Sequence, residues 1–299
     1  MIHADASAER LGLLRVVVFG AWLVHLSTTS VRGYAELPPE LIEPAGLLRW
    51  LPMERIVGSP PILVGLQVAG IVLSILCLLG ARPWPPIAAT ATVAILWHDG
   101  MIKSFQGFMN HAQVAILVAS ILLVIAPAAD GLTPWREHRE RRADRQPPGQ
   151  WTYGSTLFAT ALVLSVAYSM IGIRRLLFGG WATFTDGSIL RWVAARTDEY
   201  SVYGFRVGEW LLDLPGIAVL LPLGMLVVTL LEALSPLALF EDRFRRLWLA
   251  GLLPFHVSTL LLMNIFFWEN LLLLLVLFVA PRSGKSEQKT LDRPRSSPA

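Results

Sequence analysis

The sequence predicts an all-α fold, a polytopic integral membrane helical bundle of about eight transmembrane helices, and three observations predict it. Of the 299 residues, 54% are hydrophobic and only 16% are charged, whereas a soluble domain usually carries about 25% charged residues. The apolar residues fall in long runs of the length that a hydrocarbon core about 30 Å thick demands, about 20 residues per helix. The apolar–polar alternation of a membrane barrel is absent, and a continuous helix satisfies every backbone amide inside lipid.

The predicted spans are 11–29, 62–81, 86–102, 109–128, 155–177, 212–237, 248–266 and 268–281. Asp5 and Glu9 stand where a signal peptide would be basic, which predicts a retained first span. Segment 30–61 contains PPELIEPAGLLRWLP, amphipathic and broken by prolines. It predicts a stretch along the membrane interface with Trp50 as an anchor. Segment 180–211, with Trp181, Trp192, Tyr200 and Tyr203, reads the same way. The third and last spans are short, which predicts tilt or local thinning of the bilayer. Pro215, Pro222 and Pro236 interrupt the sixth and predict bends or breaks there. Residues 1–281 therefore read as one transmembrane domain, and the polar residues 282–299 as a disordered tail.

Arginines cluster between the apolar runs: Arg136, Arg139, Arg141, Arg142 and Arg145 after the fourth, Arg243, Arg245 and Arg246 after the sixth, and more in the tail. Eight spans put these segments, Arg82 and the N-terminus on one side, and the positive-inside rule makes that side the cytoplasm. The net charge of +3 is thus a topology signal. It implies membrane lipids as partners, and no nucleic acid. Cys77 is the single cysteine, so neither an internal disulfide nor a Cys-based zinc site can form.

Ionisable groups inside spans are costly and point to function by default. Here they are His25, His98, Asp99, His111, Arg174, Arg175, Glu232 and His256. The predicted topology brings His25, His98, Asp99, His111, Arg174 and Arg175 to one depth near the non-cytoplasmic leaflet. Each has a plainer explanation: the arginines as snorkelling cations, His111 as an interfacial cap, His25 as a packing residue. His256 lies well inside LLPFHVSTLLLMNIFF, where Pro254 loosens the backbone. Glu232 has Thr229 on the same face and is expected to be protonated or paired with a cation such as a histidine. Tyr168, Gly172 and Arg175 share one face of the fifth span, where the small glycine is expected to leave room for a ligand. The six histidines lack metal-site spacing, and no phosphate-binding loop or nucleophile elbow is present.

Four segments carry a resemblance. YSMIGIRRLLFGGW (168–181) followed by DG at 186–187, FMNHAQVAILVASILLV (108–124), LLEALSPLALFEDRFRRLWLAGLLPFHVSTLLLMNIFFW (230–268) and ERLGLLRVVVFGAWLV (9–24) occur in an order and spacing similar to the membrane domain of the HTTM and vitamin K-dependent gamma-carboxylase family. The resemblance implies an enzyme that oxidises a vitamin K hydroquinone with oxygen to make a strong base. That base removes a glutamyl γ-proton, and carbon dioxide adds to the carbanion. The family's catalytic lysine falls at the paired position that here holds Arg174 and Arg175. A guanidinium stays protonated in proteins, so the same first step by the same group is excluded. The family's histidines match His111 and His256, and Asn110 precedes the first. After residue 281 only 18 mostly polar residues follow, so docking of a propeptide is not expected.

Three functions remain open on these residues. One is a quinone- or lipid-linked enzyme in which His111 or His256 acts as acid or base and Arg174 and Arg175 stabilise an oxyanion. Another is a non-catalytic protein that binds a quinone or an anionic lipid through the arginine pair, with Asn110, Tyr168, Trp181, Glu232 and His98 lining the pocket. Transport, the third, has only the intramembrane charges behind it.

Overall fold

The computed structural model describes residues 6–44, 50, 56–57, 59–106, 111–134, 150–179, 182–185, 187–197 and 203–279, with His111 described by its backbone. Asn110, Trp181, the basic connection 135–149 and the tail 282–299 lie outside the described residues. Among the described residues all regular structure is helical, with no strand. The longer helices fall on the predicted apolar runs: α1 (Ala8–Thr28), α2 (Pro60–Leu79), α3 (Trp84–Gln106), α4 (His111–Ile125), α5 (Gln150–Arg174), α6 (Ile217–Ala233), α7 (Asp242–Met263) and α8 (Trp268–Leu274). Single π-helical turns, Arg175–Gly179 and Leu275–Val279, extend α5 and α8. Four helices, α1, α2, α5 and α7, are long and apolar enough to cross a membrane. The apolar stretches of α4, α6 and α8 are shorter. Helix α3 has the length but carries His98, Asp99 and Lys103 toward its end.

The caps explain where these helices stop. The Ser7 hydroxyl accepts from the Arg10 amide at 3.2 Å and starts α1. Pro60 and Pro61 open α2, where their missing N–H groups cost nothing. Gly80 ends α2 at φ +69°, with its amide bonded to Cys77 O and the Ala81 amide to Leu76 O, both 2.9 Å. The sixth run breaks at two of its three prolines: Pro215 lies in the turn before α6, and Pro236 opens a 3-10 turn, Ser235–Leu239. Pro222 stays inside α6. The charged stretch between the sixth and seventh predicted spans is helical and opens α7. There the Glu241 side chain caps the Arg243 amide at 3.1 Å, and Arg245 pairs with Asp242 along the same face.

Helix α1 lies at the centre, packed by α2, α4, α5 and α8, and buries Leu11, Leu14, Val18, Phe19, Trp22 and Leu26. Its Arg15 is fully buried and bonded to four carbonyls. Nη1 donates to Ala128 O (2.6 Å) and Gly131 O (3.1 Å), and Nη2 to Leu132 O (2.9 Å) and Leu78 O (3.3 Å). One side chain thereby closes the end of α2 and the connection after α4, both of which leave carbonyls unpaired in the helix ladder. A Cβ on Gly131 would overlap the Ala8 carbonyl and one on Gly12 the Gly131 carbonyl, so glycine permits this contact. Arg10 donates to Val276 O and Leu277 O at 3.4 and 2.5 Å, and Asp130 accepts from Arg82 at 2.8 Å and from the Tyr153 hydroxyl at 3.3 Å. The start of α1, the end of α2, the start of α5 and the end of α8 thus share one end of the bundle.

Candidate functional site

A cavity of about 840 Å³ lies between α5, α6 and α7, against the start of α8 and a short helix, Ser188–Arg196. Its wall is largely apolar, with Leu221, Met225, Val228, Phe255, Leu262 and Ile265 among the lining residues. Size and lining match sites for small lipophilic molecules. Polar side chains also line it, among them Tyr168, Arg175, Glu232, His256 and Asn270.

The α5–α6 contact places the first pair. Gly172 packs against α6 so closely that a Cβ there would overlap the Ala233 amide and the Thr229 carbonyl, while the Ser169 hydroxyl donates to Ala233 O at 2.8 Å. The space beside Gly172 is therefore filled by the α6 backbone and not left for a ligand, contrary to expectation. This approach carries Arg175 onto α6, where Nη1 lies 2.5 Å from Glu232 Oε2 and donates to Thr229 Oγ1 at 3.1 Å. Glu232 is 2% exposed and Thr229 fully buried, and a carboxylate so deep persists where a cation meets it. The partner is Arg175, not a histidine.

The second pair joins α5 to α7. The Tyr168 hydroxyl and His256 Nε2 are hydrogen-bonded at 2.5 Å, and both side chains are buried. The Trp248 ring stands edge-on to Tyr168 (centroids 6.0 Å apart, 87° between planes) and donates its Nε1–H to Ser235 Oγ at 2.8 Å. Phe267 packs against His256 from the α7–α8 connection, centroids 6.0 Å apart. That connection is held by Asn264, left-handed at φ +52°. Its side chain accepts from the Phe205 amide at 2.9 Å and donates to Arg196 O and Phe205 O at 3.2 and 3.0 Å. Asn264 thus ties α7 to the end of the short helix that closes the cavity.

The expected gathering is partial. Tyr168, Arg175, Glu232 and His256 meet at the cavity, whereas Arg174, one residue along a helix and so turned by about 100°, is exposed and does not line it. His98 is buried outside the cavity, with no hydrogen bond at either ring nitrogen among the described residues. His25 sits in a separate corner between Trp22 and Trp268 and meets Glu269 Oε1 at 2.7 Å through Nε2. For His111 the backbone position alone is described, as the first residue of α4. Sequence reasoning missed Glu269 and Asn270. Their signal was two adjacent polar residues in the first turn of an otherwise apolar helix, WENLLLL. Comparison with family models, with curated proteins and with solved structures found no match for this chain.

Proposed function

We propose that this chain is a multi-pass membrane protein of eight spans, with both termini in the cytoplasm, and that its cavity binds a quinone-class lipophile with an uncharged, hydrogen-bonding head. The observation that carries the binding reading is the cavity itself, apolar over most of its wall, with two polar pairs, the buried Tyr168–His256 and the half-buried Arg175–Glu232. Arg175 meets its counter-charge on Glu232, and Arg174 turns away. Among the described residues the wall therefore offers no unbalanced cation to a phosphate, and a carbonyl or hydroxyl head suits it better. The resemblance to the gamma-carboxylase membrane domain supports a naphthoquinone-type head.

The span count rests on four helices of crossing length, three shorter apolar ones that local thinning accommodates, and α3. An even count puts Arg82, Arg243 and Arg246 on the side of the N-terminus, as the positive-inside rule requires. Labelling tests it. Tyr203→Cys should react with an impermeant maleimide in intact cells, and Arg246→Cys only after permeabilisation; the reverse pattern would invert the topology.

The Tyr168–His256 bond favours a second, catalytic reading. An imidazole bonded to a phenol can take a proton from a hydroquinone hydroxyl and return it, a role closed to the permanently charged Arg175. Purified protein should retain a naphthoquinol, and His256→Ala should reduce that binding about tenfold. Tyr168→Phe, which leaves the imidazole without its partner, should cost about 1–3 kcal/mol of stability. If hydroquinone-dependent oxygen uptake occurs and His256→Ala leaves it at full rate, the catalytic reading fails. Absence of naphthoquinol binding to the wild type removes the binding reading as well.

A further inference from the structure

Among the described residues, Asn270 presents a group on the cavity wall that the protein leaves unused. Asn270 is 4% exposed and lines the cavity, and its Oδ1 is buried with no hydrogen bond among the described residues. An amide oxygen kept dry and unbonded costs stability, and a head with a hydroxyl would donate to it. The cavity also has a direction. Helices α6 and α7 meet near their connecting turn, where Leu231 lies against Gly251, and farther from the turn they frame the cavity. Leu220 and Gly224 on α6 and Pro254 on α7 both line the cavity and are exposed. Neighbouring positions on α6, Val219, Leu223 and Val227, form an exposed apolar stripe of the kind that faces lipid. A Cβ built on Gly224 meets nothing within 4 Å, so the gap between stripe and cavity is open at that point. The short helix Ser188–Arg196 lies over the cavity, with Ile189 and Val193 buried.

From this arrangement we infer that the cavity opens sideways to the bilayer between α6 and α7, that the ligand's long apolar tail lies in this opening, and that Asn270 reads its head. This rests on the lipophile-binding reading above and adds a route and a tail to it. A tailed lipid enters from the hydrocarbon without crossing water, and only the head must reach the polar wall.

The test uses the full chain in lipid nanodiscs under anaerobic conditions and two radiolabelled naphthoquinols with the same head, one carrying a polyisoprenyl tail and one only a methyl group. Gly224→Leu fills the opening; leucine is a better helix former than glycine and meets open space there, so the fold is retained. It should weaken the tailed probe about tenfold and leave the methyl probe within about threefold. Val227→Leu, on the lipid-facing stripe, should bind both as the wild type does. Asn270→Leu should weaken both probes alike, by about tenfold. A Gly224→Leu variant that binds the tailed probe normally, or loses both probes equally, overturns the lateral opening. An Asn270→Leu variant that binds both normally overturns the head contact. Failure of the wild type to bind either probe removes the underlying reading instead, so the two failures are told apart.

Discussion

Arg15→Leu is expected to be the most damaging single substitution, costing about 4 kcal/mol or more. The guanidinium donates to Ala128, Gly131, Leu132 and Leu78 carbonyls in a fully buried site. Leucine fills part of the volume but donates nothing, so four carbonyls lose a charged donor at once. Each left unbonded in a dry interior costs about 1–3 kcal/mol, though the costs do not add in full. Arg15→Lys should fall between, because one ammonium cannot span carbonyls from two chain segments as a planar fork does. Reversible unfolding in mixed SDS micelles measures the difference. Unfolding of Arg15→Leu at the wild-type SDS fraction would mean that those carbonyls find other donors and that the bundle end is not held by this side chain.

The second large effect is an asymmetry at the α5–α6 pair. Arg175→Leu strands the Glu232 carboxylate, 2% exposed, and removing one member of a buried pair costs about 3–5 kcal/mol. Glu232→Gln added to Arg175→Leu removes the stranded charge and should recover most of that stability, a coupling that a double-mutant cycle reads directly. If the two losses simply add, the 2.5 Å contact is not the reason either residue is tolerated in the interior.

How much of this was legible varies by residue. Tyr168 and Arg175 were read onto one face of α5 from spacing alone, and both reach the cavity. Spacing within a helix sets a side chain's angle and depth but not its partner. The sequence leaves Glu232 either protonated or paired with a cation such as a histidine, and Arg175 takes the place because Gly172 lets α5 and α6 meet backbone to backbone. The same rotation that turns Arg175 inward turns Arg174 outward. The two arginines looked equivalent in sequence because they are neighbours, and a helix sends neighbours to different faces. Asn270 is not legible in the sequence because a polar residue in a first turn reads as a helix start, and only the packing of α8 against the cavity brings it to the wall.

By itself the sequence determined that the chain is helical, where its apolar runs lie, where proline interrupts them, and which titratable groups stand inside them. Those properties follow from backbone bonding and local periodicity, which a short window of residues contains. Only the tertiary structure decided that His25 and His98 stand apart from His256, that Arg175 is neutralised by Glu232, and that a cavity lies between α6 and α7. Each depends on how two distant helices approach and rotate, which is set by glycine contacts and buried bonds between segments far apart in the chain.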